Sequence, residues 1–235
     1  MSHGRVIVNV AFGSRNKLLY PTAQARLLRS LRAAGNHDGD VRFDDKLSIH
    51  SPPHDQVPYA FKQAAMGDAV TAGHRVLLWL DAVIVALKPV EEVFRQIEDQ
   101  GYLLWSHPQA QWSVGQWTSD ACLTHYGISR DQALNMESVC SAVFGYSLDH
   151  TRGAELHRQF IEAPAIAMRG SKHNRNKTVS KDRRVQGHRH DQSVLGILMH
   201  KLGLHPSPTP YPAAPHGLID ERTVFVCDPS GMRGW

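Results

Sequence analysis

The stretch RVLLWLDAVIVALKPVEEVF, residues 75–94, decides the fold of this 235-residue chain. Its apolar run VLLWL, residues 76–80, is short and unbroken, which is typical of a strand buried on both faces of a sheet. Asp81 follows this run directly. Because a buried carboxylate without a partner is costly, Asp81 either reaches the surface where the strand ends or has a partner that compensates for its burial.

Strand-like and helix-like segments alternate on both sides of this run. Apolar residues at helical spacing, with Pro or Gly at the segment ends, predict helices at 21–35, 59–73, 89–101, 149–163 and 191–203. Short apolar segments predict further strands at 6–11, 101–105 and 138–148. This alternation predicts an α/β fold with a single mixed, mostly parallel sheet flanked by helices.

Three polar stretches interrupt the alternation. Residues 36–58 contain three prolines and predict a loop, and residues 169–190 are basic and polar. Residues 205–217 carry five prolines and predict an extended C-terminal segment that lies over the domain. None of the three is a convincing linker, so the chain is predicted to form one domain over residues 1–235.

The composition is that of an ordinary globular protein. Charged residues make up 20% and hydrophobic residues 42% of the chain, which excludes a disordered composition. No apolar run approaches the ~20 residues of a membrane span. The first residues, MSHGRVIVNV, enter a strand-like segment without a separate signal peptide, which predicts a cytoplasmic protein. Three scattered cysteines form neither a disulfide framework nor a CxxC metal site, and a net charge of +4 permits an anionic partner.

The order of these segments resembles the A-type (nucleotide-sugar) glycosyltransferase fold, which is Rossmann-like. The resemblance rests on a helix containing Lys62, the strand that delivers Asp81, and the amphipathic helix after it. It extends to GYLLWSHPQAQWSVGQWTSDACLTHYGISRDQAL (101–134) and to HRHDQSVLGILMHKLGL (188–204), and covers residues 5–204. It implies a nucleotide-sugar half at 5–110, an acceptor half at 111–204 and an extended tail at 205–235.

The resemblance implies transfer of a hexosyl or pentosyl group from a nucleotide-diphosphate sugar, expected to be a UDP-sugar, to an acceptor hydroxyl. In this family an Asp-x-Asp motif holds Mn²⁺ or Mg²⁺ against the donor diphosphate. Here the motif reads Asp81-Ala82-Val83, so the second carboxylate is missing. Asp81 is therefore the expected metal or diphosphate contact. His216 is the expected second metal ligand, with His205 as its alternative.

Residues near two strand ends are expected to contact the sugar donor, because ligands of open α/β sheets bind at the carboxyl ends of the strands. They are Phe12, Gly13, Arg15 and Lys17 after the first strand, and Tyr59 and Lys62 before Asp81. Phe12 would contact the base, and Arg15 or Lys17 the phosphates. The alternatives are an ordinary strand-to-helix turn at Gly13 and a merely solvated Lys62.

The segment HRHDQ, residues 188–192, is the second candidate part of the site. Asp191 lies at the start of a predicted helix, where it either caps the helix or faces the acceptor as a catalytic or orienting carboxylate. His188 and His190 flank it and are expected to contact the diphosphate or a metal. Three ionisable residues within four positions favour a site.

Asp120, in QWTSDACL, is the rival candidate for the catalytic carboxylate. Trp112 and Trp117 lie close to it in the sequence, and an acceptor platform is one interpretation of them, since sugars and nucleobases both stack on Trp faces. The other interpretation is that both tryptophans belong to the core.

The basic segment, residues 169–189, contains eight Lys or Arg residues. It predicts a solvated loop, a lid over the donor diphosphate, or a groove for a polyanionic acceptor such as nucleic acid.

Three functions are compatible with the sequence as a whole. The first is a glycosyltransferase acting on a glycan or small molecule, the second a DNA glycosyltransferase acting on a hydroxymethylated base, and the third a non-catalytic nucleic-acid-binding relative.

Overall fold

A computed structural model of the chain describes residues 4–12, 19–36, 41–106, 112–170, 175–208, 219, 221 and 223–227. The strands are β1 (Arg5–Val10), β2 (Val41–Asp44), β3 (Val76–Leu80), β4 (Ile84–Ala86), β5 (Tyr102–Ser106), β6 (Val139–Ser147) and β7 (Phe225–Cys227). The helices are α1 (Leu19–Ala33), α2 (Ala60–Thr71), α3 (Glu91–Gln100), α4 (Asp120–Tyr126), α5 (Arg130–Leu134), α6 (Thr151–Ile161), α7 (Ala165–Met168) and α8 (Asp191–Lys201).

Five strands form the central sheet in the order β2-β1-β3-β6-β5. The pairs β2–β1 and β1–β3 are parallel, whereas β6 runs antiparallel to both β3 and β5. Four of the five strands therefore point the same way, and β6 alone opposes them. This confirms the predicted mixed, mostly parallel sheet. Because β6 lies between β3 and β5, one sheet spans residues of both predicted halves.

The apolar run of β3 lies at the centre of this sheet, and all five of its residues are buried. Leu77 and Trp79 point into a core that contains residues of α2, α6 and α8. Val76, Leu78 and Leu80 point into a second core, formed with α1 and α3. The strand is thus covered on both faces, as its sequence predicts. Burying one such leucine contributes about 1.5–3 kcal/mol.

The helix ends follow the expected sequence signals most clearly in α3. Glu91 and Glu92 lie in its first turn, where carboxylates interact favourably with the positive end of the helix dipole. Gly101 ends the helix with φ 88°, a left-handed conformation that glycine adopts without strain. Val93, Phe94 and Ile97 form its buried face, which packs under the sheet.

Two stretches predicted to lack regular structure contain strands. Residues 36–58 include β2, which pairs in parallel with β1 at the edge of the sheet. The C-terminal segment includes β7, which pairs antiparallel with β4. Both strands are only three or four residues long, so their pairing depends on distant partners and leaves no periodic pattern of its own. In the tail, Ser207 hydrogen-bonds to Leu104 of β5, and residues 209–218 lie outside the described part of the chain.

Among the described residues, no helix has both the length and the apolar character that a bilayer crossing requires.

Candidate active site

The carboxyl ends of β1, β2 and β3 are tied together by polar side chains. Asn9, fully buried in β1, donates from Nδ2 to the carbonyl oxygen of Leu80 at 2.6 Å. Its Oδ1 accepts from Gln24 Nε2 at 2.9 Å, and Gln24 also donates to the carbonyl of Asp44 at the end of β2. Asn9 fixes the strand end from which Asp81 projects. Sequence analysis missed this role, although one polar residue inside the apolar run VIVNVA was a usable signal.

Asp81 both reaches the surface and has partners, the two alternatives that its position after a buried strand suggested. Its side chain is 30% exposed, so it reaches the surface at the end of β3. Its Oδ1 also accepts hydrogen bonds from Trp79 Nε1 at 2.7 Å and from Lys62 Nζ at 2.8 Å. Its backbone N–H donates to the carbonyl of Ala142 in β6. The carboxylate is thus held in one orientation with part of its surface open.

Lys62 lies underneath Asp81, inside the protein. Its side chain is 1% exposed, and Nζ lies 2.8 Å from Asp81 Oδ1, from Asp191 Oδ2 and from the carbonyl oxygen of Ser141. Two of these contacts are ion pairs, and the third is a hydrogen bond to a backbone carbonyl. The structure therefore differs from the expected direct contact with the sugar donor: Lys62 holds the two carboxylates.

The two carboxylates keep Lys62 protonated despite its burial. Burial alone lowers the pKa of a lysine, but Asp191 and Asp81 outweigh the burial and raise the pKa of Lys62 above its ordinary value. The ammonium also lies 5.2 Å from the ring centroid of Trp79 and 5.6 Å from that of Tyr59, a cation–π arrangement. Lys62 is therefore a permanent cation at neutral pH.

Asp191 is the first residue of α8, and its side chain is 3% exposed. The N-cap position belongs to His190, so the structure does not support the alternative in which Asp191 caps the helix. Because Lys62 Nζ lies 2.8 Å from an oxygen of each carboxylate, those oxygens of Asp81 and Asp191 are at most twice that distance apart. The three side chains form a triad, Asp81–Lys62–Asp191, with one net negative charge.

His188 and His190 hold the chain just before α8 and are both buried. His188 Nδ1 accepts from the backbone N–H of Ser119 at 3.2 Å, so its Nε2 carries the proton that is donated to the carbonyl of Ala167 at 3.1 Å. Burial, with a smaller contribution from His190, lowers the pKa of His188 to about 3. His190 Nδ1 donates to the carbonyl of Met168 at 2.7 Å. Both rings anchor this segment to backbone of other elements.

Phe12, the expected base contact, is half-buried in a group of aromatic rings. Its ring lies 5.2 Å from Phe61 and 5.6 Å from His54, both in edge-on arrangements. Tyr59 continues this group and stacks on His190 at 5.4 Å. The structure thus places Phe12 and Tyr59 beside the triad.

Asp120 lies on α4, and its side chain is 55% exposed. Its Oδ1 accepts from Arg130 Nη2 at 2.6 Å and from Ser180 Oγ at 2.7 Å, and Oδ2 accepts from the backbone N–H of Lys181 at 3.4 Å. Burial is the largest single influence on its pKa and raises it, but the hydrogen bonds from Ser180, Arg130 and the Lys181 backbone together outweigh burial and lower the pKa. Asp120 therefore anchors the basic segment to α4.

The two tryptophans form one cluster with arginines of the basic segment. The ring centroids of Trp112 and Trp117 are 4.4 Å apart, and the guanidinium of Arg189 lies over both, at 4.8 and 5.5 Å. Arg175 lies 5.7 Å from the Trp117 ring. Arg189 also bonds to Gln192 in the first turn of α8, so the cluster adjoins the segment that delivers Asp191. Trp117 is buried and Trp112 half-buried.

The described residues do not by themselves form the metal site that the fold family implies. Among them, no three His, Cys, Asp or Glu side chains lie close enough together to hold a metal ion. Asp81 supplies one carboxylate, and one of its oxygens is already bound to Lys62 and Trp79. His205 contacts Tyr102 at the start of β5, the sheet edge opposite Asp81. Gly13, Arg15, Lys17 and His216 lie outside the described residues.

Comparison with known proteins identifies the fold. No known family profile matches the chain, and no curated protein matches it by sequence. Among solved structures, mouse xyloside xylosyltransferase 1 is similar over 90% of this chain and 87% of its own, with 11% identity and a TM-score of 0.52. The bifunctional glycosyltransferase WbbM is similar over 91% of this chain and 40% of its own, with 6% identity and a TM-score of 0.50. The chain therefore has the A-type glycosyltransferase fold that its sequence resembles.

Proposed function

We propose that this protein is a glycosyltransferase that moves a sugar from a nucleotide-diphosphate sugar to an acceptor hydroxyl. The observation that carries the proposal is the triad. It joins Asp81, at the carboxyl end of a central strand, to Asp191 at the start of α8 through one buried ammonium. In open α/β sheets this edge is where ligands bind. The likeness of the fold to that of glycosyltransferases supports the proposal.

The chemistry needs fixed negative charge near the reacting carbon. The bond between the anomeric carbon and the diphosphate oxygen breaks, the bond to the acceptor oxygen forms, and the acceptor proton passes to the departing diphosphate. Positive charge develops on the sugar ring as the leaving group departs. Carboxylates held rigidly in a poorly solvated site stabilise this charge without reorganisation. Asp81 and Asp191 are held in this way by Lys62.

The two carboxylates are assigned different sides of the reaction. Asp81 is the more exposed of the two and lies at the end of β3, next to the end of β1 that leads to Phe12, the candidate contact of the nucleotide base, so it is assigned to the sugar donor. Asp191 is assigned to the acceptor side, because α8 begins next to the Trp112–Trp117 cluster. Lys62 holds both groups in position.

The diphosphate leaving group requires cations that the triad does not provide, because the triad carries a net negative charge. The basic segment is the proposed source. Asp120 fixes it at Ser180 and Lys181, and Arg189 connects it to the start of α8. Cationic side chains that close over a diphosphate neutralise its charge as the sugar leaves. No step is assigned to a metal ion.

The test is release of nucleoside diphosphate from a pooled set of sugar nucleotides with Mn²⁺ present. Asp81→Asn and Asp191→Asn each preserve shape and remove one negative charge. Each is expected to lower turnover by at least about a hundredfold while the fold stays intact. The matched control is Asp149→Asn, since Asp149 is 64% exposed and pairs with Arg75 at the surface. Near-normal turnover in both Asn variants of the triad would refute the assignment.

A second candidate function is transfer to a hydroxymethylated base in DNA. It is favoured by Arg175 and Arg189, which lie over the Trp112–Trp117 cluster, because arginine side chains bind the phosphates of nucleic acids. The same assay with duplex DNA carrying hydroxymethylated bases separates the two. Release stimulated by that DNA, and weakened by salt, supports DNA as acceptor. Nucleoside diphosphate release that is the same with and without DNA supports a glycan or small-molecule acceptor. No release with or without DNA supports a non-catalytic relative.

A further inference from the structure

Two residues of the described chain combine a side chain with a left-handed backbone. Apart from glycines, only Tyr59, with φ 64°, and His190, with φ 46°, have positive φ among the described residues. His190 also has ψ −108°, outside the small left-handed helical region open to residues with a Cβ. Such conformations persist only where the surrounding structure enforces them, and they concentrate at functional sites.

The rings of these two residues contact each other. Tyr59 and His190 stack with their centroids 5.4 Å apart and an angle of 27° between the planes. Stacked aromatic pairs at this distance attract each other beyond the burial of their surface. The hydrogen bond from His190 Nδ1 to Met168, at 2.7 Å, fixes the second ring in its plane. Two strained positions, far apart in the sequence, therefore support each other.

Each of these residues directly precedes a helix that carries one charge of the triad. Tyr59 is the N-cap of α2, and its carbonyl accepts from the backbone N–H of Lys62 at 3.0 Å. His190 is the N-cap of α8, whose first residue is Asp191. The stack therefore joins the two helix starts beside the point where Lys62 Nζ meets Asp191 Oδ2 at 2.8 Å.

We propose that the Tyr59–His190 stack is a positioning element that holds the starts of α2 and α8 in register, and with them the contact between Lys62 and Asp191. Neither ring takes part in the reaction in this proposal. Without the stack, the two strained turns relax separately, and the ammonium gains access to water. The effect on turnover rests on the proposed glycosyltransferase function, whereas the effect on Lys62 does not.

The test measures how well Lys62 is protected from acetylation in the intact protein. Lys62 is 1% exposed, whereas Lys46 is exposed and serves as the internal reference in the same digest. Tyr59→Asn and His190→Asn remove the rings but keep a residue that tolerates positive φ. In His190→Asn the side-chain amide can still donate to Met168. Tyr59→Phe keeps the ring and is the matched control.

In both Asn variants, acetylation of Lys62 relative to Lys46 is expected to rise by about tenfold, because local opening becomes more frequent when the stack is lost. Tyr59→Phe is expected to behave as the wild type. Wild-type protection of Lys62 in both Asn variants would overturn the proposal, and so would increased labelling in Tyr59→Phe. If His190→Asn loses its cooperative unfolding transition, the two variants at half-buried Tyr59 decide the question.

The consequence for catalysis is read from kcat and KM separately. Tyr59→Asn is expected to lower kcat with little change in the KM for the sugar donor, because the positions of the charges change while the sugar-donor contacts remain. A raised KM with normal kcat would instead make Tyr59 a binding contact and overturn the positioning role. A wild-type protein without turnover contradicts the proposed function and leaves the labelling comparison valid.

Discussion

Replacing Lys62 with methionine tests the triad without any knowledge of the substrate. Methionine is unbranched, apolar and of similar length, so Lys62→Met fills the same space while it removes the charge. It also removes the ion pairs with Asp81 and Asp191 and the hydrogen bond to the carbonyl of Ser141. What remains is a carboxylate, Asp191, whose side chain is 3% exposed and has lost its cation.

The two lost ion pairs contribute unequally to stability. Removing one partner of a buried ion pair costs about 3–5 kcal/mol, because the other charge stays buried. Asp81 is 30% exposed and regains water, so its share is close to the 0–1 kcal/mol typical of surface pairs. We therefore expect Lys62→Met to lower the free energy of unfolding by about 4 kcal/mol, a large part of the 5–15 kcal/mol of an ordinary domain.

Urea denaturation followed by circular dichroism at pH 7.5 measures this loss. The raised pKa of Lys62 means that its stabilising charge is complete below its ordinary pKa of 10.5 and is lost only as pH rises above that value, so pH 7.5 compares fully charged states. Lys46→Met, at an exposed position, is the control. Adding Asp191→Asn to Lys62→Met is expected to recover about 2 kcal/mol, since it removes the uncompensated charge. Stability of Lys62→Met within about 1 kcal/mol of the control would refute the reasoning.

Three further predictions concern other described groups. Burial lowers the pKa of His188 from 6.5 to about 3, so the free energy of unfolding is expected to fall as pH drops from 6.5 to about 3. His188→Gln should reduce the slope of the free energy of unfolding against pH by up to about 1.4 kcal/mol per pH unit. An unchanged slope in urea denaturation at a series of pH values would contradict this. Burial raises the pKa of Cys122 to about 12, so a thiol reagent at pH 8 should modify half-buried Cys227 first, with mass spectrometry as readout. Asp120→Ala removes the acceptor of Ser180 and should speed limited trypsin cleavage in the basic segment without lowering overall stability by more than about 1 kcal/mol; equal cleavage rates would rule out the anchoring role.

Four of the five strands of the central sheet could be predicted from sequence because each contains an apolar run. The run VLLWL predicted β3 correctly, and the position of Asp81 at its end followed from the strand itself. Short strands were missed for a physical reason. β2 and β7 pair only with partners far away in the chain, so their few residues show no alternation of their own.

The sequence predicted the two carboxylates of the site, but not the role of Lys62, which holds them together. Asp81 and Asp191 stand out because each interrupts or precedes an apolar run. Lys62 appeared to be one lysine on a helix, since its burial between two acids depends on how α2 and α8 meet. The backbone angles of Tyr59 and His190 leave no mark in the sequence, because both residues usually avoid positive φ.

The pairing of β4 with β7 has a consequence for the order of events in biosynthesis. The turn after Asp81 leads directly into β4, and Ile84 donates to the carbonyl of Asp81 at 2.9 Å. The only strand that pairs with β4 in the described chain is Phe225–Cys227, whose Phe225 ring also contacts Trp105. A ribosome must therefore synthesise the chain as far as Cys227 before this corner closes. The nascent protein carries Asp81 early but completes the surroundings of Asp81 only after β7 has emerged, which separates completion of the site from folding of the strands that precede it.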